Sequence, residues 1–217
     1  MKLGKLEQIT DLRSIWKHEA NDFTPWLAKE ENLAALSDAI GIELVLEEQE
    51  SNVGDFSVDL FATEEGTGRK VVIENQLEET NHDHLGKIIT YASGKDAEVI
   101  IWIVRKARDE HKKAIEWLNQ HTDDSSAFFL IEIEVWKIGN SEPAPKFNIV
   151  ERPNDWAKAM KNVSITNTQS RQMQFWQYFV DRWENNSNFA QTFRKRKAHP
   201  HNWYNLSIGS SEYQLSM

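Results

Sequence analysis

Residues 98–105, EVIIWIVR, constrain the fold more than any other stretch of this chain. Val99 through Val104 are apolar without a break. That is the pattern of a strand covered on both faces, not of one with a wet side. A helical pattern stands on each flank. Residues 80–93 read as a helix opened by Thr80 or Asn81 and closed by Gly94. Residues 107–121 read as a helix whose apolar stripe is Ala114, Trp117 and Leu118. A buried strand between two helices belongs to a crossover unit. The handedness of such crossovers predicts an α/β fold, a mixed sheet with helices on its faces.

The remaining pattern fits that plan. A short helix is expected at 10–20, and a second one starts at Thr24-Pro25. Its stripe is Trp26, Leu27, Leu33, Leu36 and Ile40, ending near Gly41. Strands are expected at 42–50, 55–63 and 69–76, the last two joined by the hairpin connection EEGTG. Side chains alternate along a strand, so Val72, Glu74 and Gln76 share one face while Val71, Ile73 and Asn75 share the other. By the same rule Phe56, Val58 and Leu60 oppose Ser57, Asp59 and Phe61. Further strands are expected at 127–139 and 143–155. Residues 156–168 turn polar and read as a linker. Residues 169–217 form a small α+β segment with a Trp-rich amphipathic helix at 172–186 and a hairpin around Gly209.

Composition removes several function classes. The chain has no Cys, which excludes disulfides, thiolate catalysis and Cys-ligated zinc. The N-terminal MKLGKLEQITDLR has no apolar signal segment, and with the missing Cys this points to a cytoplasmic protein. No apolar run approaches the ~18–20 residues that span a bilayer, so no membrane partner is expected. Residues 1–155 hold 31 acidic and 17 basic side chains, net −14, against 3 acidic and 8 basic in 156–217, net +5. Tight non-specific binding of a polyanion by the first part alone is therefore disfavoured.

Residues 54–91, GDFSVDLFATEEGTGRKVVIENQLEETNHDHLGKIITY, carry the chemistry. Neighbouring strands can bring Asp59 and Glu74 to one site, and hard carboxylate oxygens suit Mg²⁺, with Mn²⁺ as an alternative. Gln76 projects from the same face as Glu74. Lys87 and Tyr91 lie one turn apart on the following helix. His84 stands at that helix's start, where a polar residue either caps or reaches a phosphate. A His-based zinc site lacks a third ligand at suitable spacing, and no nucleotide-binding glycine loop is present.

The same residues resemble the PD-(D/E)XK nuclease superfamily, in the variant with Gln in place of the last Lys. A wider stretch from about Trp16 to Asp155 is similar to a bacterial group of that superfamily through DFTPWLA, VGDFSVDLFA, VVIENQLEETNHDHLGKIITYASG, IIWIV, EHKKAIEWLN, IEIEVWKIG and NIVERPNDW. HNWYNLSIGSSEYQLS resembles the first hairpin of a C-terminal domain that continues further in that group. The resemblance implies a restriction-endonuclease-like mixed sheet. It gives Asp59 and Glu74 the metal-ligand positions and Gln76 the position usually held by Lys. It also expects a Glu on the first core helix, with Glu31 the nearer match, Glu30 beside it and Glu19 a further option. Lys87 stands where related nucleases carry Gln, four residues before Tyr91. There it either supplies the charge that Gln76 lacks or is a simple surface substitution.

The implied activity is Mg²⁺-dependent hydrolysis of phosphodiester bonds, as in a DNA endonuclease. The alternative is a catalytically inactive binding or assembly module on a nuclease scaffold. DNA is the expected partner, and nothing in the pattern separates it from RNA. Arg194, Lys195, Arg196 and Lys197 form a basic run that either contacts phosphate or ends a solvated helix. Trp176, Phe179, Val180 and Trp183 have helical spacing suited to a core or a homodimer contact.

Overall fold

The structure is a computed structural model. It describes residues 3–54, 56–123, 125–153, 167–183, 205–207 and 214–216. Two compact units divide the chain at Met1–Trp156 and Ala157–Met217.

The first unit is built on a seven-stranded mixed sheet. Its strands are β1 (Leu6–Gln8), β2 (Leu44–Val53), β3 (Phe56–Glu64), β4 (Lys70–Glu79), β5 (Val99–Lys106), β6 (Ala127–Ile138) and β7 (Ala144–Glu151). β2, β3 and β4 form an antiparallel meander, and β4, β5 and β6 run parallel. Two helices make the parallel crossovers, α3 (His82–Lys95) and α4 (Asp109–His121). β6 serves two rows. Trp136 pairs with Gln8 of β1 and Ala144 of β7, and Ile131 pairs with Ile103 of β5 and Ile149 of β7. Thus β1 and β5 lie along one edge of β6 and β7 along the other.

Each face of the sheet has its own core, as two-layer packing around an open sheet requires. Leu60, Val71, Ile73, Leu77, Ile101 and Ile103 pack with Phe23, Leu27, Leu33 and Leu36 from the helical segments before β2. Val72, Ile100, Trp102 and Val104 pack with Ile88 and Tyr91 of α3 and Ile115 of α4. The strand expected from the apolar run is β5, buried from Val99 through Val104.

Four local expectations are corrected. The helix expected at 10–20 is a 3₁₀ turn, Leu12–Ser14, followed by a π-helical turn, Glu19–Phe23. The next helix is two pieces, α1 (Thr24–Leu27) and α2 (Glu30–Ile40), because Lys29 is extended at φ −67° and ψ 140°. α3 closes at Asp96 in the left-handed region, not at Gly94, where a Cβ would meet the Val53 side chain. Trp117 of α4 is 57% exposed and stacks on His121, while His111 and Ile115 are the buried positions. β1 carries no alternation, since all three of its residues are exposed.

The described part of the second unit is helix α5 (Asn167–Trp183) and an antiparallel pair, β8 (Asn205–Ser207) and β9 (Gln214–Ser216). Trp176 and Val180 are buried, and Met173, Phe175 and Tyr178 are exposed. Gly209, Arg194, Lys195, Arg196 and Lys197 lie outside the described residues, as does most of the expected linker.

Candidate active site

The site arises where β3 parts from β4. The two strands pair from Thr63↔Lys70 to Leu60↔Ile73 and no further. Beyond that point β4 keeps its parallel partner β5, with Glu74 opposite Trp102 and Gln76 opposite Val104. Its other edge would be left with bare N–H groups, which are costly when buried. Carboxylates take them. The Asn75 N–H donates to Asp59 Oδ2 at 2.7 Å, and the Leu77 N–H donates to Glu19 Oε2. Both acids therefore lie in the gap between the diverging strands.

Glu74 is 4% exposed, and its Oε2 is buried without a hydrogen-bond partner. Its Oε1 lies 3.6 Å from Lys87 Nζ and 4.0 Å from His84 Nε2. Lys87 and His84 both come from α3, whose N-cap Asn81 accepts from the His84 N–H. Burial pushes the Glu74 carboxyl up to about 8, the nearby Asp59 charge adds to the rise, and Lys87 opposes it. Burial likewise pushes Asp59 up to about 7, with Glu19 and Glu50 adding and the Asn75 N–H opposing. Glu19 is raised by burial too, against the Leu77 hydrogen bond and Arg13. Tyr91 is 3% exposed, and burial, then Glu74 and Asp59, raise its phenol. Burial and Lys87 hold the His84 imidazole below its ordinary value.

Asp59, Glu74, Lys87, His84 and Tyr91 thus converge. Gln76 lies beside them but turns along β4, its Nε2 donating to the Glu79 carbonyl at 2.8 Å. Its Oε1 is buried and unpartnered. The structure does not bring Glu31 to this cluster. Glu31 is exposed in the first turn of α2, and Glu19 is the acid that reaches β4. The widened π turn after His18, held by the Asp22 side chain accepting from the His18 N–H, aims Glu19 inward. Asn75 points to the opposite face, where its Nδ2 donates to Thr24 Oγ1 at 2.9 Å. Sequence reasoning missed Glu50, which lies opposite Asp59 between the pairs Gln49↔Leu60 and Ser51↔Val58. Its φ of 51° is left-handed, a conformation that costs a non-Gly residue about 1 kcal/mol or more.

Among the described residues, no three His, Asp or Glu side chains stand close enough to hold a metal ion together. Hard cations often take only one or two carboxylates and keep several waters. Asp59 and Glu74 fit that smaller requirement. Asp59 has one oxygen beyond the Asn75 bond, and the unpartnered Glu74 Oε2 is a buried acceptor in want of a positive partner.

The architecture is restriction-endonuclease-like. No protein-family model matches the chain, and no curated protein matches it. Among solved structures, a repair endonuclease from Pyrococcus abyssi is similar at 18% identity and a TM-score of 0.34. That similarity covers 42% of this chain and 42% of the other. No helix among the described residues is long and apolar enough to cross a membrane.

Proposed function

We propose that the protein is a Mg²⁺-dependent nuclease that hydrolyses phosphodiester bonds in DNA. The observation that carries this reading is the buried, unpartnered Glu74 Oε2 beside Asp59 at the point where β3 and β4 diverge. Glu74, raised by burial and by the Asp59 charge, and Asp59, raised by burial and then by Glu19 and Glu50, are poorly satisfied without a cation. Asp59 and Glu74 would hold Mg²⁺ or Mn²⁺, which supplies phosphate polarisation and a more acidic water.

The chain's own residues do the remainder. Lys87, 3.6 Å from Glu74, offsets charge that builds on the phosphate, the task Gln76 cannot perform. Gln76 presents Oε1 as an acceptor that orients water. Glu19 fixes the β4 edge through the Leu77 N–H, so the acid expected on the first core helix is Glu19 in place of Glu31. Tyr91 and His84 wall the site and favour substrate positioning. Arg194, Lys195, Arg196 and Lys197 would add phosphate contacts from the second unit.

The rival reading is a binding module on the same scaffold. It draws support from Gln76, whose amide is committed to the Glu79 carbonyl. A cleavage assay on linear, nicked and branched DNA, with and without Mg²⁺, decides between them. Metal-dependent products that vanish in Asp59→Asn and Glu74→Gln support the nuclease. DNA binding without products in any metal supports the module.

A further inference from the structure

The strands β1 and β5 meet end to end along β6. Val104 pairs with Glu132, and the Ile9 N–H donates to the Val135 carbonyl, so only Ile133 and Glu134 separate the two ends. Both ends are carboxyl ends, because β5 runs parallel to β6 and β1 antiparallel to it. The chain then leaves toward opposite faces. After β5 it enters α4, whose Ile115 joins one core, and after β1 it reaches Leu12 and Trp16 of the other. Such a switch point opens a crevice outside the strand ends, the usual place for a ligand in an open α/β sheet.

A groove of about 560 Å³ occupies that position, and Arg13, Arg105 and Arg108 line it. These are three of the five arginines in residues 1–155. Arg105 and Arg108 share one carboxylate, Glu79, at 3.8 and 3.2 Å, and Arg13 meets Glu78 at 3.3 Å. All three arginine side chains are between 41% and 57% exposed. With Asp11, the formal charges of the wall balance. Exposed ion pairs of this kind are worth only ~0–1 kcal/mol, however, and a guanidinium carries five donors suited to bidentate phosphate binding. The acids are therefore weak competitors.

The groove also adjoins the carboxylate site. Leu77 lines it and donates its N–H to Glu19, and Gln76 bonds the carbonyl of Glu79. From Glu74 to Glu79 is five residues of strand, roughly 16 Å.

We propose that this groove seats the backbone of the nucleic-acid strand a few nucleotides from the carboxylate site, with Arg13, Arg105 and Arg108 as its phosphate ligands. The proposal rests on the phosphodiester reading of that site. In a unit of net charge −14 these forked donors would hold phosphate by geometry, because the formal charges of the wall balance.

The test is binding of a labelled mixed-sequence oligonucleotide, single- and double-stranded, by the full chain in EDTA over a range of salt. Replacing Arg13, Arg105 and Arg108 by Gln together should weaken binding about tenfold or more. It should also lower the log–log salt slope by about 2–3, near 0.7–0.9 for each phosphate that is no longer neutralised. Glu79→Gln should tighten binding, since it removes the competing carboxylate and keeps the backbone carbonyl that Gln76 uses. Lys112→Gln with Lys113→Gln, on α4 outside the groove, should change the slope far less per charge removed. A folded triple variant with unchanged affinity overturns the groove and leaves the phosphodiester reading standing. Should the triple variant fail to fold, unchanged or weaker binding by Glu79→Gln overturns it instead. Absence of binding by the unmodified chain at low salt overturns the reading and the groove together.

Discussion

The hairpin of β3 and β4 buries a carboxylate at each end and treats the two in opposite ways. At the turn, Glu64 is 9% exposed, and its Oε2 accepts from Arg69 Nε at 2.6 Å and Thr67 Oγ1 at 2.7 Å. At the open end, Glu74 is 4% exposed, its nearest cation is the solvent-reaching Lys87 at 3.6 Å, and one oxygen has no partner. Glu132 on β6 behaves like Glu64, accepting from the Ala107 N–H at 2.9 Å with Lys106 at 3.1 Å. Glu64 and Glu132 are thus buried carboxylates satisfied by local donors. The unpartnered Glu74 oxygen at the open end is the feature on which the proposed cation site rests. Buried acids with shifted pKa values cluster at functional sites.

The comparison breaks most visibly under matched substitutions. Glu74→Gln and Asp59→Asn should each lower cleavage by about 10³-fold or more, since each would remove one of the two proposed ligands for a charge-stabilising ion. Glu64→Gln should leave turnover unchanged and cost roughly 1–3 kcal/mol of stability, the scale of a lost charge-assisted hydrogen bond. Initial rates in Mg²⁺ and urea unfolding of all three proteins check this. Equal losses of activity at Glu64 and Glu74 would erase the distinction between the two ends.

A second cut separates Lys87 from the two carboxylates. Lys87→Ala should slow cleavage about 10- to 100-fold with little loss of stability, because its side chain is 44% exposed. Gln76→Lys should hold or raise the rate in the Lys87→Ala background. Unchanged turnover in Lys87→Ala would remove that residue from the mechanism.

A smaller effect is expected from the pair Glu19 and Glu31. Glu19→Gln should lower activity about tenfold, since it weakens the bond that fixes the Leu77 N–H at the open end, while Glu31→Gln should do nothing. The contrast also measures what the sequence could and could not tell. Period-two alternation was sufficient to put Glu74 and Gln76 on the face opposite Asn75, and the Asn81 cap located α3 and with it Lys87 and Tyr91. Those features depend on local geometry with a fixed repeat. Glu19 sits on a π turn, which follows neither the helical nor the strand period, and the family resemblance favoured Glu31, which lies on the regular helix α2. The break at Lys29 and the three exposed residues of β1 left no apolar signature either. Burial of Asp59 against the Asn75 N–H depends on β3 parting from β4, a tertiary event that no local pattern encodes.

A further effect is on stability against pH. Asp59 and Glu74 are pushed up to about 7 and about 8, above the ~4 expected of both in the unfolded chain. Between those limits the folded protein holds protons that the unfolded chain has released. Its stability from this source is present below about pH 4 and is lost as pH rises through about 7–8. The slope is at most about 1.4 kcal/mol per pH unit for each group, and the two protons leave in steps that belong to the pair. Urea midpoints measured from about pH 5 to pH 8 in EDTA should therefore fall with pH more steeply in the unmodified protein than in Glu74→Gln. Glu74→Gln should be the more stable of the two at the alkaline end. Mg²⁺ should flatten the unmodified profile by favouring the ionised pair, and it should leave Glu74→Gln nearly untouched. Glu64→Gln should keep the full slope. If the two Gln variants lose it alike, the open end of the hairpin carries no special charge burden, and the contrast with its closed end fails.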